Sequence, residues 1–189
     1  MITVFKNANH GAFDIVTENG KIVEVGKTDR TGIDLGGDLV YPGLVDIHSH
    51  GCLGYDTMDQ NRLHEMSVFQ AQNGITSWLP TTMTMDMDTI RSVVNPPLPE
   101  FPDGANVLGF HMEGPYISPK YKGAQNERYI RLPDLDEWNS LDHIKVVTIA
   151  PELAGSMDFI RNCKTVVSLG HTSADFETAA AAMDAGAGT

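Results

Sequence analysis

From about residue 43 onward, short apolar runs alternate with polar stretches that carry apolar residues at helical spacing. The runs predict strands and the stretches between them predict helices. Since strands that alternate with helices form parallel sheets with right-handed crossovers, we expect an α/β fold. The predicted strands are 44–47, 75–79, 107–112, 145–149 and 165–169, and the predicted helices are 61–73, 86–95, 156–163 and 173–185.

The first 42 residues have a different pattern. Two β-branched runs, 13–17 and 21–25, flank Glu18-Asn19-Gly20, which is typical of a hairpin turn. Residues 33–35 and 39–40 bracket Gly36-Gly37 and predict another short strand pair. We therefore expect a small β module over residues 1–42, followed by the main domain over residues 43–189.

Composition narrows the function classes. The chain has 189 residues, 41% of them apolar, which is enough for one sizeable core. A net charge of −12 argues against a nucleic-acid partner, which needs a basic face. No run reaches membrane-spanning length, the N-terminus lacks a signal-peptide core, and Cys52 and Cys163 show no disulfide or zinc-ribbon spacing. These features predict a soluble, cytoplasmic protein without a membrane partner.

Ligand-type side chains follow the predicted strands. His48 and His50 end the first, Glu113 the third and His171 the fifth. In a parallel α/β barrel these strand ends converge on one pocket. Imidazoles and a carboxylate suit Zn²⁺ or Fe²⁺, and a carboxylate can bridge two ions. The pattern predicts a site for one or two divalent metal ions.

Each of these residues has an alternative reading. A His-x-His pair is often a surface feature, and Glu113 could cap the Gly-Pro turn that follows it. His171 could belong to a helix cap, because Thr172 and Ser173 are good N-cap residues. His111 could be a core histidine bonded to backbone, and we expect it to contact the metal ligands without binding the metal itself. We expect Glu152 to orient a loop.

The motifs PGLVDIHSHG, GITSWLPT, LGFHMEGPYISPKYKGAQ, TIAPE and SLGHTSAD occur in this order. They resemble the amidohydrolase superfamily and, within it, the family of N-acetylglucosamine-6-phosphate deacetylases. The resemblance implies a (β/α)8 barrel with a small β-sandwich, and metal-dependent hydrolysis of the acetamide to glucosamine 6-phosphate and acetate. Glu113 and His171 match metal ligands, and His48 and His50 match the pair found in two-metal members. Ala124 and Gln125 occupy the substrate-contacting segment, where some members have His in place of Gln125.

The resemblance also implies a C-terminal truncation. About five barrel strands are present, and a further metal His and the general-base Asp are expected beyond residue 189. The expectation is an inactive fragment that associates with copies of itself, binds the missing part, or is partly disordered. The resemblance implies that the substrate is a phosphorylated amino sugar. It also implies that the complete enzyme is a cytoplasmic homo-oligomer, expected to be a dimer.

Two other readings stay open. One is another amidohydrolase, of the dihydroorotase or dipeptidase type, which carries a bridging lysine at the pocket end of the fourth strand. Lys145 lies at the start of that strand instead, and Glu113 offers the bridge. The other is a non-catalytic, self-associating remnant that binds metal.

Overall fold

The computed structural model describes residues 1–189, and the chain divides into two compact units, Met1–Pro42 and Gly43–Thr189. The strands are β1 (Ile2–Asn7), β2 (Phe13–Glu18), β3 (Lys21–Gly26), β4 (Ile33–Asp34), β5 (Leu44–Ser49), β6 (Gly51–Cys52), β7 (Tyr55–Asp56), β8 (Ile75–Thr82), β9 (Asn106–Val107), β10 (Phe110–Glu113), β11 (Ile144–Ile149) and β12 (Val166–Leu169). The helices are α1 (Ala8–Gly11), α2 (Leu63–Gln72), α3 (Met87–Val94), α4 (Leu135–Trp138), α5 (Ser156–Asn162) and α6 (Phe176–Ala185), with 3-10 turns at Gln60–Arg62, Pro119–Tyr121 and Glu127–Tyr129.

The first unit is a four-stranded sheet in the order β3-β2-β1-β4. The predicted hairpin is confirmed, with Asn19 and Gly20 at φ 51° and 77° in the turn. The predicted pairing of residues 33–35 with 39–40 is wrong, because β4 pairs with β1 in parallel and residues 39–40 form no strand. Strand β1, which the apolar pattern did not delimit, lies between β2 and β4 and organises this sheet.

The second unit is built on a parallel sheet in the order β12-β11-β10-β8-β5, with the short β9 also paired to β8. Each neighbouring pair in this order is parallel, which confirms the α/β class. Strands β10 and β11 lie inside the sheet, whereas β5 pairs only with β8. No helix in the chain has the length and apolar character needed to cross a membrane.

Side-chain alternation along β10 separates the core from the functional face. Phe110 and Met112 join the large hydrophobic cluster of the second unit, together with Val147 and Ile149 of β11. Since successive side chains of a strand point to opposite faces, His111 and Glu113 lie on the other face of the sheet. That face is polar at the C-terminal strand ends and positions the site described below.

Several element boundaries differ from the predictions, and for two of them the structure shows the physical reason. The predicted strand 107–112 is interrupted at Gly109, whose φ of 143° and close approach to the His143 carbonyl leave no room for a Cβ. The last helix begins at Phe176 rather than at residue 173, because Asp175 caps it by accepting a hydrogen bond from Thr178 N at 2.9 Å. The hydroxyls of Thr172 and Ser173 bind Glu152 instead.

Candidate metal centre

Glu113, the last residue of β10, lies at the centre of a group of histidines. Its Oε2 is 3.0 Å from His50 Nε2, and its Oε1 is 3.4 Å from His48 Nε2 and 3.3 Å from His171 Nε2. The ligand atoms of His48, His50 and Glu113 all lie within 4.8 Å of one another. Three strand ends that are far apart in sequence thus bring all four predicted ligands together.

Backbone carbonyls orient two of the imidazoles. His50 Nδ1 lies 3.2 Å from Thr81 O, and His171 Nδ1 lies 2.8 Å from Tyr121 O. A ring nitrogen that faces a carbonyl must carry the proton, so Nδ1 donates and Nε2 faces the carboxylate. Metal-binding histidines are held in this way, with the other ring N–H donated to a carbonyl or carboxylate.

This arrangement requires positive charge between the rings and Glu113. With Nδ1 protonated, the neutral imidazole of His50 presents a lone pair at Nε2 to a carboxylate oxygen 3.0 Å away, and two acceptors repel each other. A second proton on the ring resolves the conflict, and so does a divalent cation held by both groups. The donor set therefore fits a metal ion of the kind that binds nitrogen and oxygen ligands.

The ionisation of the pair follows from the same contacts. Burial would raise the pKa of Glu113, but the His50 hydrogen bond and the charges of the three histidines outweigh it and lower the pKa to about 2. The hydrogen bond to Glu113 raises the pKa of His50, against the effect of burial. The carboxylate is therefore ionised at neutral pH and available to a cation.

His111 lies next to this group but has other partners. Its Nδ1 is 2.7 Å from Ile47 O on β5, and its Nε2 is 2.7 Å from Thr148 Oγ1 on β11. Both ring nitrogens are engaged, and burial lowers the pKa of the imidazole, so the ring is neutral. It packs edge-on against His48, with ring centroids 4.8 Å apart. Its contacts support the neighbouring strand rather than the carboxylate.

Glu152 holds the loop that carries His171. Its carboxylate accepts hydrogen bonds from Ser173 N at 2.7 Å and Ser173 Oγ at 2.9 Å, and also from the Thr172 hydroxyl. His171 has φ 49°, in the left-handed region that costs energy for a residue with a Cβ. Ser118 N donates to His171 O at 2.8 Å and further restrains this conformation.

The segment predicted to contact substrate is split between two environments. Ala124 is exposed, whereas Gln125 is buried and donates a hydrogen bond to Glu113 Oε2. Thr84, which the sequence reasoning did not single out, donates from its backbone to Gln125 Oε1 at 2.7 Å. No sequence motif marked Thr84, because its contribution is partly a main-chain N–H.

Lys145 lies apart from this group. It is exposed near the start of β11, at the opposite end of the strand from the histidines. Glu113 is the acidic residue at the centre of the histidines. This agrees with the deacetylase resemblance, whereas the alternative amidohydrolase types would have a bridging lysine there.

Comparison with known proteins gives a consistent result. A deacetylase for N-acetylglucosamine 6-phosphate from Vibrio furnissii is 36% identical over 189 residues, covering 91% of this chain and 47% of the relative. One from Bacillus subtilis is 38% identical over 165 residues, covering 79% of this chain and 42% of the relative. The chain resembles N-acetylglucosamine-6-phosphate deacetylases. It spans about half the length of the curated relatives it matches.

Solved structures of these deacetylases show the same fold. The enzyme from Pasteurella multocida superposes with a TM-score of 0.84 at 27% identity, covering 99% of this chain and 55% of that one. A D267A mutant from Mycobacterium smegmatis, in complex with N-acetyl-D-glucosamine-6-phosphate, gives 0.81 at 25% identity, covering 99% and 54%. The parallel sheet of the second unit therefore corresponds to the N-terminal part of the deacetylase barrel. No protein-family model matches the chain.

One relative is named for a different sugar. A deacetylase for N-acetylgalactosamine 6-phosphate from Escherichia coli O157:H7 is 36% identical over 163 residues, covering 79% of this chain and 43% of the relative. Its identity to this chain equals that of the Vibrio furnissii enzyme, so overall similarity does not choose between the two sugars.

Proposed function

We propose that this chain carries the metal-binding part of a deacetylase that hydrolyses the acetamide of N-acetylglucosamine 6-phosphate. The observation that carries the proposal is the convergence of His48, His50 and His171 on Glu113, each from a C-terminal strand end. Acetamide hydrolysis consumes one water and releases the free amine and acetate.

The proposed ligands of the divalent ion are His48, His50, Glu113 and His171. Zn²⁺ and Fe²⁺ are the best candidates for this nitrogen and oxygen set, with one or two ions in the complete enzyme. Bound there, the ion supplies a water of lowered pKa and polarises an acyl carbonyl. The chain's own residues orient the imidazoles so that each Nε2 faces Glu113, and they keep the Glu113 carboxylate ionised.

Proton transfer needs a further group. Attack of water on an amide leaves a proton that must reach the departing amine, which is the task of a general acid–base residue. In this site Glu113 is engaged with the histidines and His111 is engaged at both nitrogens. From the family resemblance we expect the general-base Asp beyond residue 189. The 189-residue chain alone is therefore proposed to bind metal and not to turn over.

N-Acetylgalactosamine 6-phosphate is the second candidate substrate, because the Escherichia coli relative is named for it. The two sugars differ at one ring carbon and share the acetamide, so the same metal-binding residues would serve either. We also propose that the complete enzyme is a cytoplasmic dimer.

The proposal is tested by loading the purified chain with Zn²⁺, measuring metal by mass spectrometry, and assaying acetate release from both sugar phosphates. We expect the chain to bind metal, the binding to be weakened in His50→Ala, and acetate release to stay at background. Failure of the chain to hold metal would overturn the proposal. Turnover above background would show that the general base lies within residues 1–189.

A further inference from the structure

Gln125 is a buried polar residue in the long loop after β10, only 3% exposed. Its side chain makes hydrogen bonds at both ends of the amide. Oε1 accepts from Thr84 N at 2.7 Å, and Nε2 donates to Glu113 Oε2. A buried amide with both ends paired has one fixed orientation, and breaking either bond would leave a polar group without a partner.

The direction of this amide is set by the backbone. Thr84 N can only donate, so the atom of Gln125 that faces it must be the carbonyl oxygen. The NH₂ group then has to face Glu113, whose carboxylate can only accept. A glutamine is suited to this place because one end accepts from an N–H while the other donates to a carboxylate.

Thr84 also holds the main chain of Glu113. Its Oγ1 donates to Glu113 O at 3.2 Å. At the next residue, Gly114 has φ 68°, and a Cβ built there would overlap Thr84 Oγ1. Thr84, Gln125 and Glu113 therefore form a closed ring of hydrogen bonds that fixes both the main chain and the carboxylate of Glu113.

The ring determines which oxygen faces which partner. Oε2 receives Gln125 and His50, and this leaves Oε1 directed at His48 and His171. We propose that Gln125 is a positioning residue that holds the Glu113 carboxylate in the orientation needed to bind the metal. The inference rests on the proposed function, and it assigns to Gln125 a role toward the carboxylate instead of the substrate contact expected from the resemblance.

The test is a titration of the 189-residue chain with Co²⁺, whose visible absorption reports the ligand geometry, and with Zn²⁺ against a competing chelator. Gln125→Met keeps the length of the side chain and removes both hydrogen bonds. We expect a Zn²⁺ affinity lower by about 10–100-fold, the usual effect of losing a supporting contact to a ligand, and an altered Co²⁺ spectrum. Ser67→Ala is the control, because it removes a buried hydrogen bond outside this group, which Trp78 Nε1 donates to Ser67 Oγ at 3.1 Å.

The outcomes separate the two proposals. If the unaltered chain binds no metal, the proposed function fails and the inference fails with it. If the unaltered chain binds and Gln125→Met binds equally, with the same Co²⁺ spectrum, only the inference is overturned. Should Gln125→Met not fold, NMR of the unaltered chain decides: the Gln125 side-chain amide should exchange slowly and shift on Zn²⁺ addition. A fast-exchanging, unshifted amide would overturn the inference.

Discussion

Two of the three strands that supply the candidate metal centre, β10 and β5, are held in the sheet in different ways. All four residues of β10 are buried, and Glu113 at its end has neighbours on both sides. Strand β5 pairs only with β8, and its apolar residues Leu44, Val45 and Ile47 are each more than half exposed. The comparison indicates that β10, which carries the carboxylate, is fixed by burial and by strands on both sides, whereas β5, which carries His48, is fixed by pairing with one neighbouring strand.

The largest expected effect is that of removing the carboxylate from the inner strand. Glu113→Ala should lower Zn²⁺ affinity by more than about 100-fold, beyond the loss usual for a supporting residue, because it removes the group on which the three histidines converge. Competition with a chelator measures it. Glu127→Ala, at an exposed position in the following loop, is the control. An affinity within threefold of the unaltered chain would exclude Glu113 as a ligand.

The second largest expected effect is that of low pH on metal binding by His50, which follows the edge strand β5. The hydrogen bond to Glu113 raises the pKa of His50 above its ordinary value of about 6.5. Protons therefore compete with the metal ion for this ring at a higher pH than they would for a free imidazole. Glu113, with a pKa of about 2, stays ionised between pH 5 and 8. Metal affinity should thus rise with pH through the raised pKa of His50, and fall by about tenfold per pH unit below it.

Calorimetric Zn²⁺ titrations between pH 5 and 8 measure this dependence. His50→Gln should flatten the curve, and His64→Gln, at an exposed position paired with Asp103, should leave it unchanged. A flat curve for the unaltered chain would show that His50 is not a ligand.

His111 on β10 connects the edge strand β5 to the interior strand β11, because its ring contacts Ile47 O on β5 and Thr148 Oγ1 on β11. His111→Phe leaves both partners unpaired and should lower the free energy of unfolding by about 1–3 kcal/mol. Urea denaturation measures it, and Thr148→Val completes a double-mutant cycle. A loss below about 0.5 kcal/mol would mean that His111 does not connect the strands.

The smallest expected effect is a valine-to-threonine change at the edge. Val45→Thr, at a position 56% exposed on β5, should change the free energy of unfolding by less than about 0.5 kcal/mol. Val147→Thr on β11, fully buried, places a hydroxyl in the core and should cost about 1–3 kcal/mol. Equal losses from these two matched substitutions would remove the distinction between edge and interior.

The sequence predicted the five main strands of the parallel sheet and the placement of His48, His50, Glu113 and His171 at strand ends, because apolar runs that stop at polar residues mark where parallel strands finish. It could not predict that β5 lies at an edge, since an apolar run looks the same in either position. The interruption at Gly109 was also missed, because it depends on contact with the distant His143 carbonyl.

Supporting contacts were the hardest to predict. The ring formed by Thr84, Gln125 and Glu113 depends partly on main-chain atoms, which leave no residue signature. The cap of α6 was misplaced for a related reason: Thr172 and Ser173 are good cap residues in isolation, but Glu152 of another strand end engages both. Tertiary partners decided these positions over local preference.

The central claim is that the four strand-end residues form one metal site, and a Zn²⁺ titration of the 189-residue chain at pH 7.5 tests it most directly. The account predicts saturable binding of one or two ions that is weakened in His50→Ala and in His171→Ala, and strongly weakened in Glu113→Ala. Binding that is absent, or that is unchanged in all three variants, would contradict it.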